Sequence, residues 1–152
     1  MSHDARLRQL NITLPDAPMP AANYVPFVQS GDLLFVSGQI AAGPGGLIRG
    51  RLGEDMDVAA GAAAARACGL ALIAQARAAL GSLDRVARVV KLTGFVSSTP
   101  DFTDQPEVIN GCSDLMVQVF GEAGRHARAA VSAPALPRGV AVEIEAVFQV
   151  TP

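Results

Sequence analysis

The chain has 152 residues and a mass of 15.6 kDa, which suits one domain able to bury an ordinary core without disulfide or metal staples. Twelve lysines and arginines against 14 acids give a net charge of −2, the wrong sign for displacing counterions from phosphate, so nucleic acid is disfavoured as a partner. Half of the residues are hydrophobic and only 17% are charged, a surplus of apolar side chains that points to buried contacts between subunits.

Taken in chain order, residues 4–10 have a short helical pattern, and Pro15, Pro18 and Pro20 then remove amide donors and stop regular structure. Residues 1–22 read as an N-terminal arm of a single domain spanning 1–152. No apolar h-region follows Met1 to Arg6, and Arg66 and Arg77 interrupt the Ala-rich stretch, so neither a signal peptide nor a membrane span is expected and a cytoplasmic location is. Two apolar runs, Tyr24 to Gln29 and Leu33 to Gly38, flank Ser30-Gly31-Asp32 and predict an antiparallel hairpin. Gly43-Pro44-Gly45-Gly46 is a turn into a third, shorter strand over Leu47 to Arg51.

From Asp57 to Leu80 alanine dominates, with Asp57 as N-cap, Gly81 as terminator and Leu70, Ile73 and Leu80 at helical spacing. The small side chains suit close packing on a sheet, and an alanine-rich genome composition would produce the same look. β-Branched residues predict a long strand from Val86 to Val96. Thr103 as a hydroxyl cap, early acids and Pro106 lead into a second helix that stops at Gly121. Ala127 to Ser132 and Val140 to Val150 are two further strands. The order gives an α+β fold with helices on one side of a sheet. Cys68 and Cys112 have no ligand partner at metal spacing and read as buried reduced thiols.

The last strand carries the chemistry. Val140, Val142, Ile144, Ala146, Phe148 and Val150 share one face; Ala141, Glu143, Glu145, Val147 and Gln149 share the other. On the preceding strand Arg128, Ala130 and Ser132 share a face, which leads to the expectation that Arg128 meets Glu143 across the sheet. A guanidinium and a carboxylate there could clamp a substrate carboxylate and position a water, or form a plain salt bridge. A sheet covered on one face only must cover the other, and Ala130, Ala141 and Val147 are expected on that second face, buried by neighbouring subunits.

Val25-Pro26-Phe27-Val28-Gln29, Phe35-Val36-Ser37-Gly38-Gln39, Val89-Val90-Lys91, Val108-Ile109-Asn110 and, above all, Arg128-Ala129-Ala130-Val131 followed by Leu136-Pro137-Arg138-Gly139 and Glu143-Ile144-Glu145 resemble the YjgF-type Rid family, the RidA-like deaminases also known as L-PSP endoribonuclease-like proteins. The resemblance runs from about Tyr24 to Val150. It implies a chorismate-mutase-like α+β fold, a mixed β-sheet with two main helices on one face, assembled as a homotrimer around a central sheet barrel with clefts between subunits. The best-understood members hydrolyse reactive enamines and imines to 2-keto acids and ammonia without metal or organic cofactor. In them an arginine at the place of Arg128 binds the substrate carboxylate, a glutamate at the place of Glu143 orients or activates water, and an asparagine at the place of Asn110 lines the cleft. Phe27 stands where active members have tyrosine, and Ala130 where they often have cysteine, so both are carried over as cleft-lining positions without the hydroxyl or thiol.

Other motifs carry less. Gly43-Pro44-Gly45-Gly46 lacks the Gly-Lys-Ser/Thr of a phosphate loop. His126 has no second ligand at metal spacing and reads as an ordinary surface or strand-entry histidine, His3 lies in a loose arm, Ser37 lacks a nucleophile elbow, and Lys91 reads as a sheet-edge charge. Two function classes follow: a deaminase acting on small 2-imino acids, and a non-catalytic or chaperone-like trimer whose cleft holds a carboxylate metabolite. Endoribonuclease activity is a third, opposed by the acidic balance and the absence of a histidine pair.

Overall fold

A computed structural model describes residues 2–20 and 22–152; Met1 and Ala21 of the arm lie outside the described residues. The sheet has the order β1-β2-β7-β5-β6, with β1 Phe27–Ser30, β2 Leu33–Ile40, β5 Val86–Ser97, β6 Ala127–Ala133 and β7 Val142–Val150. Every neighbouring pair is antiparallel except β5 and β6. That parallel pair is joined through helix α3, Gln105–Phe120, as parallel strands need a crossover.

The hairpin closes at Gly31, whose φ of 62° suits a residue without Cβ. The Gly43 to Gly46 turn joins two-residue strands, β3 Ala42–Gly43 and β4 Gly46–Leu47. No longer strand follows over Leu47 to Arg51. The backbone there instead forms single bridges, Arg49 to Val140 and Leu52 to Ser98, because the residues it meets lie just beyond the ends of β7 and β5 and offer no length of strand to pair with.

Helix α2, Val58–Leu80, begins where the Asp57 carboxylate accepts from the Ala60 amide and ends at Gly81, with φ of 79°. It is long and apolar enough to cross a membrane by length and composition, but most of its most apolar stretch is buried in the domain, as in a core helix. Its small residues serve helix α3 as much as the sheet. A Cβ on Gly69 would fall 2.9 Å from Leu115 and 3.0 Å from Cys112, and one on Gly111 would run into the Ala62 carbonyl. Close approach of two helix backbones is what these positions provide.

Helix α3 starts at Asp104 without a side-chain cap bond. The expected Thr103 hydroxyl cap is not formed; the Gln105 side chain turns back onto the Phe102 carbonyl at 2.8 Å instead. The arm is docked, not loose. Its helix α1, His3–Gln9, is capped by Ser2, and Asp4 accepts from Ser82 Oγ at 2.9 Å. The His3 ring packs edge-on against Phe120 at 4.9 Å. Leu7 and Leu14 are buried with the core between sheet and helices, where Val142, Ile144, Ala146 and Phe148 of β7 also lie.

Candidate functional site

Strand β6 is an edge strand, so its side chains reach beyond the sheet over the first half of α3. Arg128 Nη1 donates to Asn110 Oδ1 at 2.8 Å and to Ser113 Oγ at 3.2 Å, and Nη2 donates to the Pro106 carbonyl at 3.3 Å. The guanidinium is held on one edge, and a five-donor fork held in this way still has donors for an incoming anion. Ala130, two residues on, shares that face and packs against the core. The structure thus brings together three of the sequence-predicted residues: Arg128, Asn110 and Ala130.

Glu143 lies elsewhere. Arg128 pairs with Leu92 on β5, whereas Glu143 pairs with Phe95. The two β5 positions are three residues apart in an unbroken register, so the side chains point to opposite faces of the sheet. Arg128 faces the helices and Glu143 faces the open side. The expectation that they meet across the sheet within one chain is therefore corrected: it treated β6 and β7 as neighbours, and β5 lies between them.

Beside Glu143, β2 carries one extra residue between Val36 and Gln39, a bulge of the kind that re-aims side chains. Gly38 sits in it, and the Glu143 carboxylate occupies the space that a Cβ there would need. Burial raises the Glu143 pKa above the usual carboxylate value, and the nearby charge of Glu145 raises it further. The carboxylate opens on a cavity of about 700 Å³ whose wall includes Tyr24, Pro26, Ile40 and Arg138, with Pro18 and Pro20 of the arm.

Phe27 is not on that wall. It pairs with Val36, a buried residue, and packs toward the helices. The aromatic residue on that wall is Tyr24, and Phe95 is the cross-strand partner of Glu143. Sequence reasoning missed Arg138 too, whose φ of 62° is rare for a residue with a side chain and is paired with a carbonyl bond to Arg49 at 2.9 Å. A non-glycine residue in the left-handed region beside a cavity was detectable only in the folded backbone.

His126 is half-buried and has a partner that the sequence did not show. Its Nδ1 lies 2.6 Å from the Gly124 carbonyl and its Nε2 lies 2.9 Å from Ser113 Oγ. Burial lowers its pKa and Arg128 lowers it further, against the raising effect of the Gly124 carbonyl. Lys91 is on a central strand and not at a sheet edge.

Cys68 and Cys112 are free and buried. Burial pushes the Cys112 thiol up to about 12 and Cys68 well above its ordinary value. Because the thiolate is the reactive form, neither is expected to react with a thiol-specific disulfide reagent at pH 8 until the protein is unfolded, when both should. Rapid modification of the folded protein would contradict their burial.

Comparison with known proteins agrees with this fold. The model of the family described as "YjgF/chorismate_mutase-like, putative endoribonuclease" matches residues 4–147. The chain belongs to the YjgF/chorismate mutase-like family, with the α+β fold and mixed sheet of its members. Protein TCP17 of Trypanosoma cruzi is 54% identical over 147 residues, 95% of this chain and 92% of that protein. The RutC family protein y4sK of Sinorhizobium fredii is 36% identical over 140 residues, 92% and 97% of the two chains. Among solved structures, the protein Atu1372 of unknown function from Agrobacterium tumefaciens superposes with a TM-score of 0.90 at 48% identity, covering 98% of this chain and 92% of its own. E. coli TdcF with bound serine gives 0.63 at 27% identity, covering 89% and 94%.

Proposed function

We propose that the protein hydrolyses small 2-imino and enamino acids to 2-keto acids and ammonia in a cleft between subunits of a homotrimer. Arg128, with Asn110 and Ala130 beside it, holds the substrate carboxylate, and Glu143 of a neighbouring subunit delivers the water. The observation that carries this reading is that the two groups lie on opposite faces of one sheet, so that a second copy is needed to bring them to one substrate. Phe27 is retained from the family resemblance as a wall residue reached through assembly, and Tyr24 is the aromatic residue that lines the cavity with Glu143.

The chemistry asks little of the protein. A protonated imine is already electrophilic, so fixing its carboxylate and placing a base near the attacking water supply most of what is required. Glu143 takes a proton from water as the oxygen bonds to the imine carbon. The amine nitrogen of the tetrahedral intermediate takes that proton back from Glu143, and ammonia leaves as the hydroxyl group gives its own proton to Glu143 and becomes the carbonyl of the keto acid. A carboxylate with a raised pKa accepts that proton more readily than an ordinary one. The bound serine in E. coli TdcF is an amino acid with a carboxylate of the same kind.

The test couples an amino-acid oxidase to the purified protein and follows ammonia release against the spontaneous rate over aliphatic and aromatic substrates. Acceleration is expected; none across the panel would remove the deaminase reading. The catalysed rate should fall as acid protonates Glu143, with a midpoint above the ordinary value of 4.5. A midpoint at or below it would place the base elsewhere.

Assembly has its own observable. The open face exposes Phe35 at 45%, Val131 at 44% and Val28 at 51%. Those residues make the apolar surface, whereas Ala141 is fully buried and Ala130 faces the helices, contrary to expectation. Sheets turned inward into a central barrel would cover it. Light scattering is expected to give three times 15.6 kDa, and a well-folded monomer at micromolar concentration would reject the intersubunit cleft.

The bound serine in E. coli TdcF also favours a second reading, a cleft that binds a carboxylate metabolite without turning it over. Calorimetric binding of pyruvate with no ammonia release would establish that one.

A further inference from the structure

Ser113, His126 and Arg128 form a second constellation that needs no neighbouring subunit. A carbonyl oxygen only accepts, so the 2.6 Å contact with Gly124 puts the imidazole proton on Nδ1. Nε2 then presents its lone pair to Ser113 Oγ at 2.9 Å, and the serine hydroxyl donates to it. Arg128 Nη1, 3.2 Å away, donates to the same oxygen. Burial keeps the imidazole in its neutral form near pH 7, the form that can take a proton. The parts have the geometry of a nucleophile, a base within hydrogen-bond reach and a third group that orients the base.

The three side chains line a hollow of about 290 Å³ with Arg125, Asp114 and Val117, so a small electrophile has access to the serine oxygen. Arg128 is itself fixed by Asn110 and Pro106. Its charge stands 3.2 Å from Ser113 Oγ, close enough to act on negative charge developing on a carbonyl or phosphonyl oxygen attacked there.

We propose that Ser113 is a nucleophile activated by His126, in a site for small acyl esters. The Oγ–carbon bond forms as the hydroxyl proton passes to His126 Nε2 and the carbonyl oxygen takes the negative charge beside Arg128. The ester carbon–oxygen bond then breaks, the imidazolium returns its proton to the departing alkoxide, and water attacks the acyl-serine by the same route to release the acid. The site shares Arg128 with the proposed deaminase cleft but uses neither Glu143 nor a second chain, so either reading can fail without the other.

Incubating the full-length protein with a fluorophosphonate probe at pH 7.5 (about one unit above the ordinary histidine pKa), followed by intact-mass and peptide mass spectrometry, tests it. One adduct is expected, on Ser113, absent from heat-denatured protein and from Ser113→Ala. His126→Gln should slow the labelling by about 100-fold, the usual scale of general-base assistance. No adduct on the folded parent protein, an adduct on another serine, or parental labelling of a folded His126→Gln would each overturn the proposal and leave the pair as a structural support for Arg128. Should His126→Gln not fold, Ser113→Cys gives a second reading: its alkylation by iodoacetamide at pH 7 is expected to outpace that of a free thiol at least tenfold, and an ordinary rate would count against activation by His126.

Discussion

Arg128→Ala is expected to lower kcat/KM for imine hydrolysis by about 100-fold or more, equivalent to about 3 kcal/mol of transition-state binding. The side chain is fixed before substrate arrives, by Asn110, Ser113 and the Pro106 carbonyl. Little rotamer entropy is then lost on binding, and the two-point fork is lost entirely with alanine. Arg128→Lys keeps the charge without the planar fork and should fall between the two. Because β6 is an edge strand and Asn110 is exposed, the substitution should scarcely change the melting temperature. Glu143→Gln should retain pyruvate binding while slowing turnover, which separates the carboxylate clamp from water delivery. Ammonia release by Arg128→Ala at the parent rate would remove Arg128 from the site.

The largest expected effect on stability is at Gly111. A side chain there meets the Ala62 carbonyl on α2, and backbone cannot swing aside as a flexible side chain can. Relief requires α2 and α3 to separate, which would loosen the contacts of Gly69 with Leu115 and Cys112 along the same seam. Overpacking of a rigid contact costs about 3 kcal/mol, and Gly111→Val should reach or exceed that. For a domain of this size the melting temperature would drop by about 6–12 °C. Gly45→Ala, in the turn between β3 and β4 with nothing near its side-chain direction, should change stability by no more than about 0.5 kcal/mol. Equal melting temperatures for the two variants would mean that the helices are not in backbone contact at Gly111.

What the sequence determined by itself was local or repetitive. The hairpin around Gly31, the helix from Asp57 to Gly81 and the alternating last strand were legible because turn chemistry, capping and period-two burial are written into adjacent residues. Family membership was legible for a related reason, since the motif from Arg128 to Glu145 is nearly continuous. Strand order was not. Alternation assigns each strand two faces, but only the pairing of β5 with both β6 and β7 decides which face of one matches which face of the other, and it sends Arg128 and Glu143 to opposite sides. The Ser113 and His126 pair, the left-handed Arg138 and the placement of Tyr24 beside Glu143 likewise depend on elements packing in three dimensions. Side chains distant in sequence acquire a common chemistry only when register and packing fix their distance and direction, and these are set by the whole tertiary fold.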